Sequence, residues 1–435
     1  MGRRIITIIS LIAFICGALV VITGCEDIAL RNLLVDRILG WKSSVVLIGP
    51  VNEGTVAERT PLLEWEHAGG AVNYHIKIAE TELLLADAEV LETEEPLYEM
   101  PGPVTIGDNY FWQVCAVSGE GETGEWSEVW NFSVIPSPTP VRLESTVIDT
   151  VSGGYNLMIK DNYAYVCANT AGLYIINISD PENPNVAKKL TTLPASDIEI
   201  QDNYAFINNE DDNLLHILDI SNPENPVEKV MFPRTEGGTN YTCLFMDNLY
   251  CIGNDYVEII DVSSILVPEY RETISPIDGD GGTGHLWDIE WDGLTNAVVS
   301  ENLYGIHILS TEGLKSSLPI PGYGEYCQID IKDGYAYVGS GSSGLKIVDI
   351  SNPYFPTVAA TYETEGSCLA ANISGNFCFI SDGNLMKIID ISDPVSPVEI
   401  SSAEGLWCYD ARGNYGFSVD YFNHTFYVID LLPVP

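Results

Sequence analysis

The chain has 435 residues with 62 acidic against 19 basic side chains, a formal charge of −43 that excludes nucleic acid as a partner and disfavours an anionic lipid surface. Its length calls for more than one hydrophobic core. The 38 Gly, 24 Pro and 23 Tyr favour turns and strands over long helices, so an all-β protein of two or more domains is expected.

The first element is a processing signal. Arg3 and Arg4 precede an unbroken apolar run from Ile5 to Ile22, which ends at Thr23, Gly24 and Cys25. Such a run is set apart from the fold as a signal peptide over residues 1–24; an uncleaved membrane anchor is the alternative. The residues Ile22, Thr23, Gly24 and Cys25 resemble a bacterial lipobox. That resemblance implies cleavage before Cys25 and lipidation of its thiol, which would anchor an exported protein to the cell envelope through buried acyl chains. The mature chain would keep 17 basic against 62 acidic residues, a charge of −45, so attachment would come from lipid and not from a basic patch. Residues 25–43 then form a spacer, with Leu30, Leu33, Leu34 and Ile38 at helical spacing.

Residues 44–135 change to short alternating strands: Leu62 to Trp65, Tyr74 to Ile78, Tyr110 to Val117 and Trp130 to Val134. About 90 residues of this kind suit a small sandwich with Trp65 and Trp112 in its core. The segment resembles a fibronectin type III domain through its Leu63-Glu64-Trp65 strand, its Tyr74-His75-Ile76-Lys77-Ile78 strand and the Tyr110–Val117 strand followed by Trp126-Ser127. Such domains are spacers or adhesive modules, and the Arg-Gly-Asp tripeptide that some use is not in this sequence. Pro136, Pro138 and Pro140 make a stiff linker over residues 136–140.

Beyond the linker one apolar strand recurs, starting at Leu173, Leu215, Val257, Ile306, Leu345, Met386 and Phe426, with intervals of 42, 42, 49, 39, 41 and 40 residues. A period near 40 without a helical stretch is the signature of propeller blades. Each unit reads as four strands. Two-residue turns such as Asp161-Asn162, Asp247-Asn248 and Asp333-Gly334 join the first to the second, and Ser-Asp/Asn-Pro corners join the third to the fourth. The last unit stops at its third strand, and Val141 to Ile148 supplies the missing fourth, so residues 141–435 are read as a seven-bladed β-propeller whose ring is closed by its N-terminal strand. The motif Leu345-Lys346-Ile347-Val348-Asp349-Ile350-Ser351-Asn352-Pro353 and its six relatives resemble the LVIVD repeats of bacterial and archaeal surface proteins. The resemblance implies an extracellular binding propeller without an assigned reaction. The fourth copy departs from the pattern, with Ser310-Thr311-Glu312 at the corner.

Strand direction alternates within a blade, so the second-to-third and fourth-to-first connections share one face. Tyr155, His285, Trp287, Tyr323, Glu325, Tyr326, Glu365, Glu404 and Trp407 fall on that variable face. Aromatic rings beside carboxylates there suit a protein or glycan ligand; packing between blades is the structural alternative for Trp287 and Trp407. Asp278 and Asp280 superficially resemble part of a calcium loop but lack its third acid and distal Glu, so a solvated loop is expected there, with calcium the alternative, and no other cofactor is expected. His216 and His307 share the second position of the recurring strand and read as blade-surface residues. No HExxH, GxSxG or phosphate loop occurs, and no catalytic residue is assigned. Eight cysteines beyond Cys16 and Cys25 sit singly in apolar strands, as small buried hydrophobes do. These features describe a monomeric, lipid-anchored surface binding or adhesion protein. An extracytoplasmic lyase or hydrolase using an acidic funnel, or a structural envelope component, are the competing classes.

Overall fold

A computed structural model describes residues 11–15, 18–22, 44–138, 140–147, 156–208, 213–234, 241–253, 256–275, 285–292, 294–301, 304–310, 313–320, 328–404, 410–420 and 425–432. Cys25, Tyr155, Asp278, Asp280, Tyr323, Glu325, Tyr326 and Trp407 lie outside these residues. The chain divides into two compact units, Met1–Ile135 with Val434–Pro435, and Pro136–Pro433.

In the first unit, Leu11–Ile15 pairs antiparallel with Ala18–Ile22. No helix of the described residues is long and apolar enough to cross a membrane. Two further sheets follow. The larger runs in the order Gly54–Val56, Trp130–Val134, Asn109–Ser118, Ala71–Ala79, Leu91–Thr93; the smaller pairs Leu47–Gly49, Leu62–Trp65 and Leu97–Glu99. Alternation along Leu62–Trp65 and Asn109–Ser118 turns Leu63, Trp65, Trp112 and Val114 inward. The rings of Trp65 and Tyr74 meet edge-on at 5.3 Å, and those of Trp112 and Trp130 at 6.2 Å, so one aromatic core joins the two sheets. A short helix, Glu82–Leu85, capped by the Thr81 hydroxyl, was not foreseen from the sequence.

The second unit holds, among the described residues, seven four-stranded antiparallel sheets. Six are consecutive in the chain. Their first strands are Leu157–Lys160, Asp197–Gln201, Thr242–Phe245, Leu286–Trp291, Ile329–Lys332 and Ala371–Ser374. The seventh sheet begins at Asp410–Arg412 and takes its fourth strand from Val141–Val147, which pairs antiparallel with Thr425–Asp430 as the offset of the repeats predicts. Each first strand lies beside the first strand of the next sheet, and Asp410–Arg412 lies beside Leu157–Lys160. The architecture is all-β and propeller-like.

The apolar runs of the third strands follow from this stacking. Tyr174 and Ile176 pack against Phe417, Val419, Phe426 and Val428 of the seventh sheet, while Leu173 and Ile175 pack against Ile198, Ala205 and Ile207 of the second. A strand covered on both faces needs apolar residues at consecutive positions. The fourth strands are free edges, and theirs is the exposed pattern, as in Val227–Pro233.

The aspartate that ends each recurring strand has a backbone role. The Oδ1 atoms of Asp219, Asp261, Asp349 and Asp390 accept the N–H of Ser221, Ser263, Ser351 and Ser392 at 2.8–3.0 Å. Asn177 does the same for Ser179 at 2.9 Å. These Asx turns satisfy a donor where strand pairing stops and set up the proline corner. Ser310 replaces the aspartate in the fourth sheet and bonds instead to the Gly313 carbonyl at 3.4 Å.

The first-to-second turns match expectation at Asp161, Asp202 and Asp333, each with φ near +50°. The third sheet corrects it. Its turn is Met246-Asp247, between Phe245 and Asn248, one residue earlier than Asp247-Asn248, and Met246 takes φ +51°. Register to Asn248 decides the turn there, because shifting it would turn Cys243 away from the core between the third and fourth sheets.

Candidate functional site

The first strands carry an unusual load of acid for residues at the centre of a stack. Asp197, Asp288, Asp330 and Asp410 each accept a backbone N–H from the first strand of the next sheet: Thr242 at 2.6 Å, Ile329 at 2.8 Å, Ile373 at 2.7 Å and Ile159 at 3.1 Å. Asp197 also takes the Thr242 hydroxyl at 2.6 Å and the Asn156 amide, so it ties three sheets together. The bond from Ile159 to Asp410 links the first sheet to the seventh. Glu199 and Glu290 stand two residues along from Asp197 and Asp288, on the same side of their strands.

Burial pushes all these carboxyls above the usual range: Asp288 up to about 7, Asp330 and Asp410 up to about 6, and Glu199 and Glu290 well up. Carboxylates of non-adjacent sheets add to the rise. Glu290 of the fourth sheet responds to Glu199 of the second, and Asp330 of the fifth to Asp410 of the seventh. The inner strands thus converge on one acidic interior. Among the described residues no group of three or more His, Cys, Asp or Glu is placed to hold a metal ion.

At the end of the sheets where fourth strands lead into first strands, the structure describes four of the proposed ligand-binding residues. His285 is exposed and Trp287 half-buried, its ring 6.0 Å from that of Tyr241 in the third sheet. Glu365 and Glu404 are exposed. The connection carrying Glu365 is held down by Asp382, whose carboxylate accepts the N–H groups of Glu365, at 3.2 Å, and Gly366.

Beneath this end lies a tier of polar contacts that the sequence did not reveal. It centres on the second position of the third strands, the place read as blade surface for His216 and His307. That reading is corrected: both are buried, because this position faces the preceding sheet. His216 Nδ1 meets Glu228 at 2.5 Å. Glu258 is paired by Arg234 through Nε at 3.0 Å and a terminal nitrogen at 2.9 Å, both groups fully enclosed. Lys387 lies 3.0 Å from Asp382 and 3.3 Å from Glu399. Burial alone would lower the Lys387 ammonium, but its contacts with Asp382, Tyr362 and Glu399 together outweigh that and hold it above the ordinary lysine range. His307 Nε2 meets Glu301 at 2.7 Å and its Nδ1 meets the Ser317 hydroxyl at 2.8 Å.

The six described cysteines, Cys115, Cys167, Cys243, Cys251, Cys368 and Cys378, are buried and none is in a disulfide. Burial pushes the thiols of Cys167, Cys243 and Cys378 well up, so they are poor nucleophiles.

The LVIVD repeat family matches residues 152–192, 194–232, 323–364 and 366–404, which carry the first, second, fifth and sixth sheets. No curated protein matches the chain. Among solved structures, the computationally designed Ika8 protein aligns over 73% of this chain and 89% of its own, at 11% identity and a TM-score of 0.48. Apo AztD from Citrobacter koseri aligns over 78% of this chain and 96% of its own, at 12% identity and a TM-score of 0.39.

Proposed function

We propose that the chain is an exported, lipid-anchored surface protein in which a fibronectin type III-like spacer, residues 44–135, carries a closed seven-bladed propeller that binds a protein or glycan. The observation that carries this reading is the unbroken sequence of first-strand contacts, completed by Asp410–Arg412 beside Leu157–Lys160 and by the Ile159 to Asp410 hydrogen bond. A ring of seven blades leaves only short, protected sheet edges at its centre and gathers seven fourth-to-first connections around one mouth. Those connections vary in sequence, while the proline corners at the other end repeat. Variation laid on a constant scaffold is how binding surfaces are built. Lipidation at Cys25 follows from the apolar run and the lipobox-like residues that end it.

One experiment addresses both halves. The Cys25→Ser form is expected to leave the membrane fraction and to serve as soluble probe on protein and glycan arrays. Replacing Trp287 and Glu404 by alanine is expected to weaken the captured ligand by about tenfold or more, since a stacked ring and a carboxylate each contribute on the order of 1 kcal/mol. Undiminished binding by a folded double variant would remove this face as the site, and a Cys25→Ser form that stays with the membrane would remove the lipid anchor.

A further inference from the structure

The second position of the third strand gives seven versions of one place. Tyr174, His216, Glu258, His307, Lys346, Lys387 and Tyr427 occupy it in turn. The residues directly opposite on the fourth strand, in the first six sheets, are Lys189, Met231, Thr273, Ser317, Thr361 and Ser402. A hydroxyl facing a titratable side chain is therefore common. A hydroxyl facing an imidazole is not. Lys387 faces Ser402 but is held as an ammonium by Asp382, and His216 faces the thioether of Met231. Among the described residues only the fourth sheet sets an imidazole between a serine and a carboxylate.

We propose that Ser317, His307 and Glu301 form a nucleophile, base and orienting group that hydrolyse a carboxylic ester. The distances, 2.8 Å from Ser317 Oγ to His307 Nδ1 and 2.7 Å from His307 Nε2 to Glu301 Oε2, are those of an assembled relay. Glu301 and His307 are 3% exposed, whereas Ser317 is half-buried on the outer, fourth strand of its sheet. With Nε2–H donating to Glu301, the Nδ1 lone pair faces the serine hydroxyl. The Tyr304 ring stacks on the imidazole at 5.2 Å with an interplanar angle of 8° and holds its plane. Burial keeps His307 below its ordinary pKa against the pull of Glu301, so the base is neutral at physiological pH.

In the reaction, Ser317 Oγ bonds to the ester carbonyl carbon as its proton passes to Nδ1. The C–O bond to the alcohol then breaks, and the alcohol leaves with that proton. Water attacks the acyl-serine, gives a proton to Nδ1, and the acid departs as Ser317 recovers its hydrogen. This activity is independent of the binding face proposed above.

The test is reaction of the full chain with a fluorophosphonate, followed by peptide mass mapping. Phosphonylation at Ser317 is expected, falling by about 10²-fold or more in His307→Gln. Its rate is expected to rise with pH as His307 loses its proton, with the midpoint moved to lower pH in Glu301→Gln, a shift that loss of packing alone does not produce. An unaltered chain left unlabelled at Ser317 between about pH 5 and 9, or labelled only elsewhere, overturns the proposal. Because the mapping is done on the unaltered chain, the answer does not depend on the variants folding.

Discussion

Asp288 shows what the inner carboxylates do for the fold and what they cost it. Its carboxyl accepts the Ile329 N–H of the next sheet and the N–H of Ile289, yet burial raises its pKa to about 7. A folded-state pKa above the unfolded value of about 3.9 means that the folded chain binds the proton more tightly, so the contribution is fully present below about pH 4 and is lost as pH rises through 7. Asp330 and Asp410, both raised to about 6, act in the same direction. Thermal stability is therefore expected to fall between about pH 4 and pH 7, with Asp288 alone accounting for on the order of a few kcal/mol. Asp288→Asn keeps an acceptor for Ile329 and removes the charge. It should raise Tm at about pH 8, leave it nearly unchanged at about pH 3.5, where the carboxyl is protonated in both states, and flatten the slope measured by calorimetry; an unchanged slope would show that this carboxyl is not enclosed as described. Two corner aspartates, Asp219 and Asp261, work oppositely. Asp261, lowered to about 2 chiefly by its bonds to Ser263 and Arg271, holds its contribution above the usual carboxylate range and loses it only in strong acid.

At the scale of elements, the recurring strand was legible because its apolar run and terminal aspartate both answer to local demands: two buried faces and an Asx turn. The short strands Gly54–Val56, Leu91–Thr93 and Leu97–Glu99 were not, because three residues carry too little periodicity to stand out. Nor were the inner carboxylates legible, Asp197 as buried and Glu199 as half-buried. Alternating acid in a strand reads as a solvated face, and only the convergence of first strands turns that face inward. The same limit hid Ser317, His307 and Glu301, whose meeting depends on pairing of the second, third and fourth strands in one register. One turn offers a direct test of local fit. Met246, 68% exposed with φ +51°, has a Cβ in a conformation that penalises it. Met246→Gly should stabilise the chain by about 1 kcal/mol, read by chemical denaturation, since glycine enters this region without strain. A loss of stability would mean that the turn does not take this conformation.

The whole second unit rests on a join between distant parts of the chain. Val141–Val147 completes the sheet of Thr425–Asp430, and the Arg142 guanidinium lies 4.0 Å from the centre of the Tyr427 ring. If the seven sheets form a closed ring, that strand seals it, and its removal exposes the edge of Thr425–Asp430. The most direct measurement compares thermal unfolding of two fragments, residues 136–435 and residues 148–435. The ring account predicts one cooperative transition for the longer fragment and, for the shorter, a midpoint lower by about 5–10 °C or more, or aggregation before unfolding. Equal midpoints and equal solubility would contradict it.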